Sequence, residues 1–295
     1  METTQRNLAS ASSFAQCGVR LNTGAWMPAP AYGTWNVRGS AGRVALNEAL
    51  AAGYRHLDTA NMYSNERDVG AVLRSHPDLH PDAAVPSSSS SSIFVTTKFT
   101  GHGYAHAKAA CELALKELGV ASIDLFLIHW PGQGDEAARR ESWRALEELY
   151  AAGKCRAIGV SNYTEHHLRQ LLAHAKVVPA VNEFEFHPHL VQTELVKFCH
   201  AHGIEVMSYM PLGAGNLIDH PDLDPIARRH GKTIPQVILR WHLQHGVVPI
   251  PKSANKKRMA ENSQLFDFRL TDDEMAAIDD LHCDERYDWD PTNVA

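Results

Sequence analysis

Four side chains in the first half of this 295-residue chain carry groups that could move a proton: Asp58, Tyr63, Lys98 and His129. Asp58 closes the run Tyr54-Arg55-His56-Leu57-Asp58, Lys98 closes Ile93-Phe94-Val95-Thr96-Thr97-Lys98, and His129 closes Ile123-Asp124-Leu125-Phe126-Leu127-Ile128-His129. Each is the polar stop of an apolar, strand-like run, and Tyr63 lies five positions beyond Asp58, in a loop. A free phenol has a pKa of about 10 and is a poor proton donor at neutral pH. A neighbouring ammonium favours the phenolate and lowers that value; Lys98 can supply it. Asp58 can pair with Lys98 and keep it charged, and His129 can hydrogen-bond a substrate oxygen and orient it. Such a set can protonate an oxygen as electron density reaches the adjacent carbon, which is the reduction of a carbonyl by a hydride donor. Alone, each residue has a plainer role: Asp58 as a turn acceptor, Tyr63 as a packed loop tyrosine, Lys98 as a solvated strand end, His129 as a core histidine beside Trp130. Together they match the layout of a barrel active site, with polar groups at the C-terminal ends of parallel strands.

The elements that would position them alternate along the chain. A hairpin runs from Gly18 to Leu21, turns at Asn22-Thr23-Gly24 and returns from Trp26 to Pro28. Strand-like runs follow at 31–34, 55–58, 93–98, 123–129, 156–160, 180–184, 205–209 and 247–249, each succeeded by a helix-like segment. Strands alternating with helices imply a parallel sheet. Eight of them imply an α/β fold, a (β/α)8 TIM barrel, with the hairpin as an N-terminal cap. Gly53, Gly119, Gly153, Gly203 and Gly231 stop helices where a C′ glycine is expected, and Thr271 caps the last helix. Residues 1–16, polar and Ser/Ala-rich, read as a disordered leader, and 17–295 as one barrel domain. Within it, 75–92 carries Pro77, Pro81, Pro86 and the serines Ser87 to Ser92, and reads as a flexible loop on the face away from the site.

Composition narrows the function further. A formal net charge of -6 gives no basic footprint for nucleic acid. Apolar runs are far shorter than the roughly 20 residues needed to span a bilayer, and the N-terminus lacks the apolar core of a secretory signal. Five cysteines without a CxxC suit reduced thiols in a cytoplasmic protein. His187-Pro188-His189 and His200-Ala201-His202 have no HExxH or Cys/His companions, so no metal is expected. The expected partner is a small-molecule carbonyl substrate, and the expected state a monomer.

Longer motifs then agree in order and spacing. Gly53-Tyr54-Arg55-His56-Leu57-Asp58-Thr59-Ala60 with Tyr63, Asn65 and Glu66 resembles the aldo-keto reductase signature. Leu127-Ile128-His129-Trp130-Pro131, Ile158-Gly159-Val160-Ser161-Asn162 and Ile250-Pro251-Lys252-Ser253 resemble that family's other blocks. The resemblance implies Tyr63 as general acid, with Asp58, Lys98 and His129 completing a tetrad, and NADP(H) bound without a Rossmann fold. No strand-linked GxGxxG occurs; Gly213-Ala214-Gly215 is too weak to count. It further implies Gly33, Thr34 and Trp35 beside the nicotinamide ribose, and Ser161 and Asn162 on the carboxamide. Tyr209 would lie under the ring, Leu212 and Gly213 over the pyrophosphate, and Lys252, Ser253, Arg258, Glu261 and Asn262 at the adenosine end. Lys252 and Arg258 match the position of the 2′-phosphate, where charge-assisted contacts are strong, which favours NADP(H) over NAD(H).

Three positions depart from the family pattern. Glu183 stands where glutamine is usual: a carboxylate can accept from the carboxamide, but cannot donate unless protonated. Its charge is expected to favour the oxidised, cationic ring. Met210 replaces a frequent serine, and Thr100 stands where many members carry tryptophan, opening one wall of the substrate site. The other expected pocket residues are Trp35, Met62, Tyr63, His129, Trp130, Tyr287 and Trp289, an apolar and amphipathic set suited to a hydrophobic carbonyl. The short segment from Pro131 to Glu136 predicts a permissive site. The expected activity is NADPH-dependent reduction of aldehydes or ketones, and the chain's end resembles microbial and protozoan members including prostaglandin F synthase-like reductases. A sugar or polyol dehydrogenase of arabinose type, a cofactor-binding regulatory protein with little turnover, and a phosphate-binding barrel isomerase or aldolase are the alternatives.

Overall fold

Side chains alternate between the two faces of each strand, and in this chain that alternation separates two cores. The computed structural model describes residues 6–82, 92–132 and 136–294. Strands β1 (Arg6–Asn7), β2 (Gly18–Arg20) and β3 (Trp26–Pro28) form an antiparallel sheet. The barrel follows with β4 (Tyr32–Gly33), β5 (His56–Asp58), β6 (Phe94–Phe99), β7 (Leu125–Ile128), β8 (Ile158–Ser161), β9 (Val181–Glu185), β10 (Glu205–Tyr209) and β11 (Val247–Pro249). These eight pair in parallel, in sequence order. Closure comes from the first strand meeting the last: the Ala31 N–H donates to Pro249 O and the Gly33 N–H to Pro251 O, each at 3.0 Å.

Inside the barrel, Phe94, Leu125, Leu127, Val181, Met207 and Val248 pack with Leu8, Val19 and Met27 from the N-terminal sheet, which plugs the lower mouth. The opposite strand faces, among them Leu57, Val95, Phe126, Ile158 and Val206, pack against the helices in the second core. Gly159 is required by the inner packing: a Cβ there would lie 2.5 Å from Val181 O and 2.8 Å from Leu127 Cδ2.

The outer layer contains α1 (Gly39–Ala51), α2 (Glu66–Ser75), α3 (Tyr104–Leu118), α4 (Glu136–Ala151), α5 (Glu165–Leu172), α6 (Thr193–Ala201), α7 (Asp224–His230), α8 (Ile234–Gln244), α9 (Lys256–Ser263) and α10 (Asp272–Asp279). Helices α5, α8 and α10 begin at Thr164, Thr233 and Thr271, each closing a capping box. Each predicted strand and helix in this region is found, with ends moved by a few residues.

The N-terminus differs from expectation. The sequence predicts a disordered leader over 1–16, yet from Arg6 onward the chain is docked. Arg6–Asn7 pairs with β2, Leu8 is buried, and Phe14 packs edge-on against Tyr54 at 5.1 Å. Arg240 and Arg269 both donate to Ala9 O, at 2.8 and 3.2 Å. Polar composition hid two apolar anchors, Leu8 and Phe14. Of the predicted flexible stretch 75–92, residues 83–91 lie outside the described residues, as do 133–135 of the short loop after Trp130.

Candidate active site

The alternation that builds the inner core also aims the polar strand ends. His56 and Asp58 on β5, Thr96 and Lys98 on β6, and Glu183 and Glu185 on β9 are i,i+2 pairs, all buried. His56 is satisfied within the barrel by Pro28 O at 3.0 Å and Thr96 Oγ1 at 2.7 Å. Two residues further along the same faces, Lys98 Nζ donates to both carboxylate oxygens of Asp58 at 2.6 Å. It also meets Glu183 Oε1 at 3.1 Å. Burial alone would lower the lysine's pKa; Asp58 and then Glu183 overcome it and hold the ammonium above its ordinary value. Two carboxylates against one ammonium leave a negative charge uncompensated. Burial, and then Asp58, push the Glu183 carboxyl up to about 8, with Lys98 opposing. Burial raises Asp58 as well.

Tyr63 ends the 3-10 turn Asn61–Tyr63, and Ser64 after it is left-handed at φ 55°. The loop is pinned by Asn65, which accepts from Thr59 Oγ1 at 2.6 Å and donates to Thr34 O and Val37 O at 2.8 and 2.9 Å. These bonds set Tyr63 beside Trp35, ring centroids 5.0 Å apart, and beside His129 at 5.7 Å. Lys98 Nζ lies 5.6 Å from the Tyr63 ring. Lys98 lowers the phenol's pKa as the sequence predicts, but burial is the larger effect, and Asp58, Glu183 and Asp288 add to it. The net shift is upward: the phenol keeps its proton, a correction to the expectation that Lys98 brings it below its free value.

His129 follows β7, its N–H bound to Phe99 O at 2.9 Å. Burial, then the Lys98 charge, drop its pKa well below the ordinary 6.5, so the imidazole is neutral. Asn162 occupies the left-handed region at φ 63°. Its amide donates to His129 O at 3.0 Å and Ser161 Oγ at 3.1 Å, and it accepts from Tyr209 OH at 2.7 Å. Met210, after β10, is also left-handed at φ 48°. Non-glycine residues held in that region gather at sites where the surrounding structure dictates the backbone.

Buried polar atoms without partners are rare and call for an explanation. Thr34 Oγ1, His129 Nδ1 and Glu183 Oε2 are three of them. They sit on loops or strands at the same rim as Ser161, Asn162 and Tyr209, an arrangement that fits a polar ring substituent. Farther round the rim, Tyr32 OH donates to Ser253 O at 2.7 Å, and Ser253 Oγ accepts from Asn255 N at 3.0 Å. Asn255 caps α9 by accepting from Arg258 N. Lys256 pairs with Glu48 at 2.8 Å and Lys257 with Glu261 at 3.8 Å. Lys252 and Arg258 stand exposed beside them, and Asn262 is buried under the helix. Gly213, at φ 57°, lies in the turn after Leu212.

For the substrate side, ring contacts continue from His129 to Trp130 at 6.3 Å and from Trp130 to Trp289 at 5.1 Å. Trp35, Met62 and Trp289 are 45%, 44% and 44% exposed, which leaves apolar surface around the mouth. Thr100 follows β6 and its carbonyl accepts from His106 at 2.6 Å. Tyr287, also expected in this wall, bonds His189 Nδ1 at 2.9 Å, lies tilted against His187 at 5.1 Å and packs against Gly213.

Two further residues escaped sequence reasoning. Glu185 is fully buried and accepts from Tyr287 N at 2.6 Å and Asp288 N at 3.2 Å, which fastens the C-terminal segment over the barrel. Asp288 brings a carboxylate whose charge reaches Tyr63 and Tyr209. A second glutamate in the run Val181–Glu185 was the available signal, since a charged side chain on a buried strand needs partners. His189, Cys283 and Glu285 place ligand-type atoms within 4.8 Å of one another, but two of the three are exposed and His189 is already bonded.

Comparison with known proteins gives a consistent result. The model of the Aldo/keto reductase family matches residues 20–282. A 9,11-endoperoxide prostaglandin H2 reductase of Trypanosoma cruzi is 42% identical over 281 residues, covering 93% of this chain and 95% of its own. A glyoxal reductase of Bacillus subtilis is 42% identical over 279 residues, covering 94% and 96%. The crystal structure of a Gox0644 mutant in complex with NADPH superposes with a TM-score of 0.85 at 36% identity, covering 94% of this chain and 98% of the other.

Proposed function

We propose, for a chain that belongs to the aldo/keto reductase family, that it reduces aldehydes or ketones to alcohols with NADPH, using Tyr63 as the proton donor. The observation that carries this is the buried Lys98, bonded to Asp58 at 2.6 Å, with the rings of Tyr63 and His129 beside it at one barrel rim. NADPH, when bound, supplies the hydride. Ser161, Asn162 and Glu183 would hold its carboxamide, Tyr209 its ring, Gly33, Thr34 and Trp35 its ribose, and Met210, Leu212 and Gly213 its pyrophosphate. Lys252, Ser253, Arg258, Glu261 and Asn262 would hold its adenosine end.

The residues of the chain then have separable tasks. Tyr63 remains protonated at neutral pH and so has a proton to give as negative charge develops on the substrate oxygen. Lys98, kept charged by Asp58, stabilises the phenolate left behind. Neutral His129 orients the carbonyl by a hydrogen bond. Trp35, Met62, Trp130 and Trp289 offer apolar surface that favours an apolar carbonyl. The relatives named for prostaglandin H2 and for glyoxal differ greatly in substrate size, and the apolar mouth favours the larger, prostaglandin-like class. A polyol or sugar dehydrogenase is the second reading, favoured by Glu183, whose carboxylate, once ionised, would suit the oxidised ring.

Loss of NADPH absorbance measured against a panel of aldehydes, quinones, an endoperoxide and sugars tests both readings. Turnover is expected with the apolar carbonyls. Tyr63→Phe is expected to lower kcat by at least about 100-fold, the usual weight of a positioned general acid; undiminished turnover in that variant would refute the assigned role.

A further inference from the structure

The buried site sets one cation between two carboxylates. Lys98 Nζ touches Asp58 at 2.6 Å and Glu183 at 3.1 Å, and all three side chains are no more than 3% exposed. A buried trio of one cation and two carboxylates is neutral only if one carboxyl holds a proton. The other oxygen of Glu183, Oε2, is buried without a partner. Asp58 has both oxygens engaged by Lys98, so the proton belongs with Glu183. The other titratable groups that reach this spot are accounted for. Tyr63 and Tyr209 are shifted upward and stay neutral, His129 is shifted downward and stays neutral, and Lys98 stays charged. Asp288, in the C-terminal segment, acts on the two tyrosines.

We propose that Glu183 is the proton reservoir of the site, carrying a proton while the reduced cofactor is bound and ionised while the oxidised one is. The proposal rests on the NADP(H)-dependent reading above. In reduction, the carbonyl carbon gains a hydride and its oxygen gains the proton of Tyr63. The phenolate is reprotonated at the expense of Glu183, by way of the Lys98 ammonium that meets Glu183 at 3.1 Å and faces the Tyr63 ring. The carboxylate so formed offsets the positive charge that the nicotinamide has acquired. In oxidation the order reverses: the alcohol's hydroxyl proton ends on Glu183 as the hydride leaves its carbon. No proton need cross to solvent while both reactants are bound.

Calorimetric titration of the native protein with NADP+ and, separately, NADPH, in buffers of different ionisation heat, counts the protons exchanged. Near pH 8, binding of NADP+ is expected to release up to about one proton more than binding of NADPH. The ratio of the two dissociation constants should then shift toward NADP+ by up to about tenfold per pH unit through that window. The 2′-phosphate is common to both nucleotides and cancels in the ratio. Glu183→Gln is expected to flatten the ratio. Equal proton counts for the two nucleotides in the native protein would overturn the reservoir while leaving the cofactor assignment intact, as would an unchanged slope in Glu183→Gln. Failure of either nucleotide to bind would instead overturn the functional reading, and the reservoir with it.

Discussion

At the scale of single residues, the buried ammonium of Lys98 orders the site. A lysine among apolar strands survives as a charge only because Asp58 and Glu183 meet it, and the second carboxylate brings its own cost. Glu183 is raised from 4.5 to about 8 by burial and by Asp58. Between those values the folded chain holds a proton that the unfolded chain has lost, so this residue's contribution to stability falls as pH rises through that window. Glu183→Gln should remove the fall. The melting-temperature difference between variant and native protein is expected to move in the variant's favour by a few °C (about 2–4 °C per kcal/mol) between roughly pH 5 and 8. A difference that stays constant with pH would mean that Glu183 is already ionised throughout. Asp58, Lys98 and His129 stood out as candidates beforehand because each ends an apolar run, and Tyr63 because it follows Asp58 by five positions. The net upward shift of Tyr63 was not, because burial and the charge of Asp288 come from segments remote in sequence.

At the scale of elements, strand ends carry the titratable groups and the C-terminal segment is tied to one of them. Glu185 on β9 ties down Tyr287 and Asp288 through their N–H groups, and Trp289 follows directly against Trp130. Hydrogen bonds to a carboxylate contribute about 1.5–3 kcal/mol each. Glu185→Gln should therefore free the segment: amide exchange at Tyr287 and Asp288 is expected to accelerate about tenfold or more. KM for a bulky carbonyl should rise with little change in kcat. If exchange there is unaltered, the segment is held by something other than Glu185. The strands and helices themselves could be read from apolar runs and glycine stops, since their periodicity is local. The contacts of Tyr287 could not be read this way, because a loop's direction depends on the partners it meets, here His187, His189 and Gly213.

At the scale of the whole molecule, the barrel has a plugged lower mouth, and the plug reaches back to residues that composition marks as a leader. Leu8 is 1% exposed, in the inner core with Met27 and Leu243. Leu8→Ala is expected to lower unfolding free energy by about 2–5 kcal/mol, the range for removing a buried leucine side chain. Denaturant titration would measure it, and a change below about 0.5 kcal/mol would show the segment to be loosely held. Among the described residues no helix is long and apolar enough to cross a membrane. By itself the sequence determined the alternation of eight strands with helices, the polar residues that end three of those strands and the motifs that resemble one family, because all of these are written in local order and spacing. Only the tertiary structure decided that Glu183 shares Lys98 with Asp58, that Glu185 fastens the C-terminal segment and that Leu8 joins the plug of the barrel. Those facts rest on contacts between segments far apart in the chain, where burial sets the energy of each charge and no local pattern records which groups will meet.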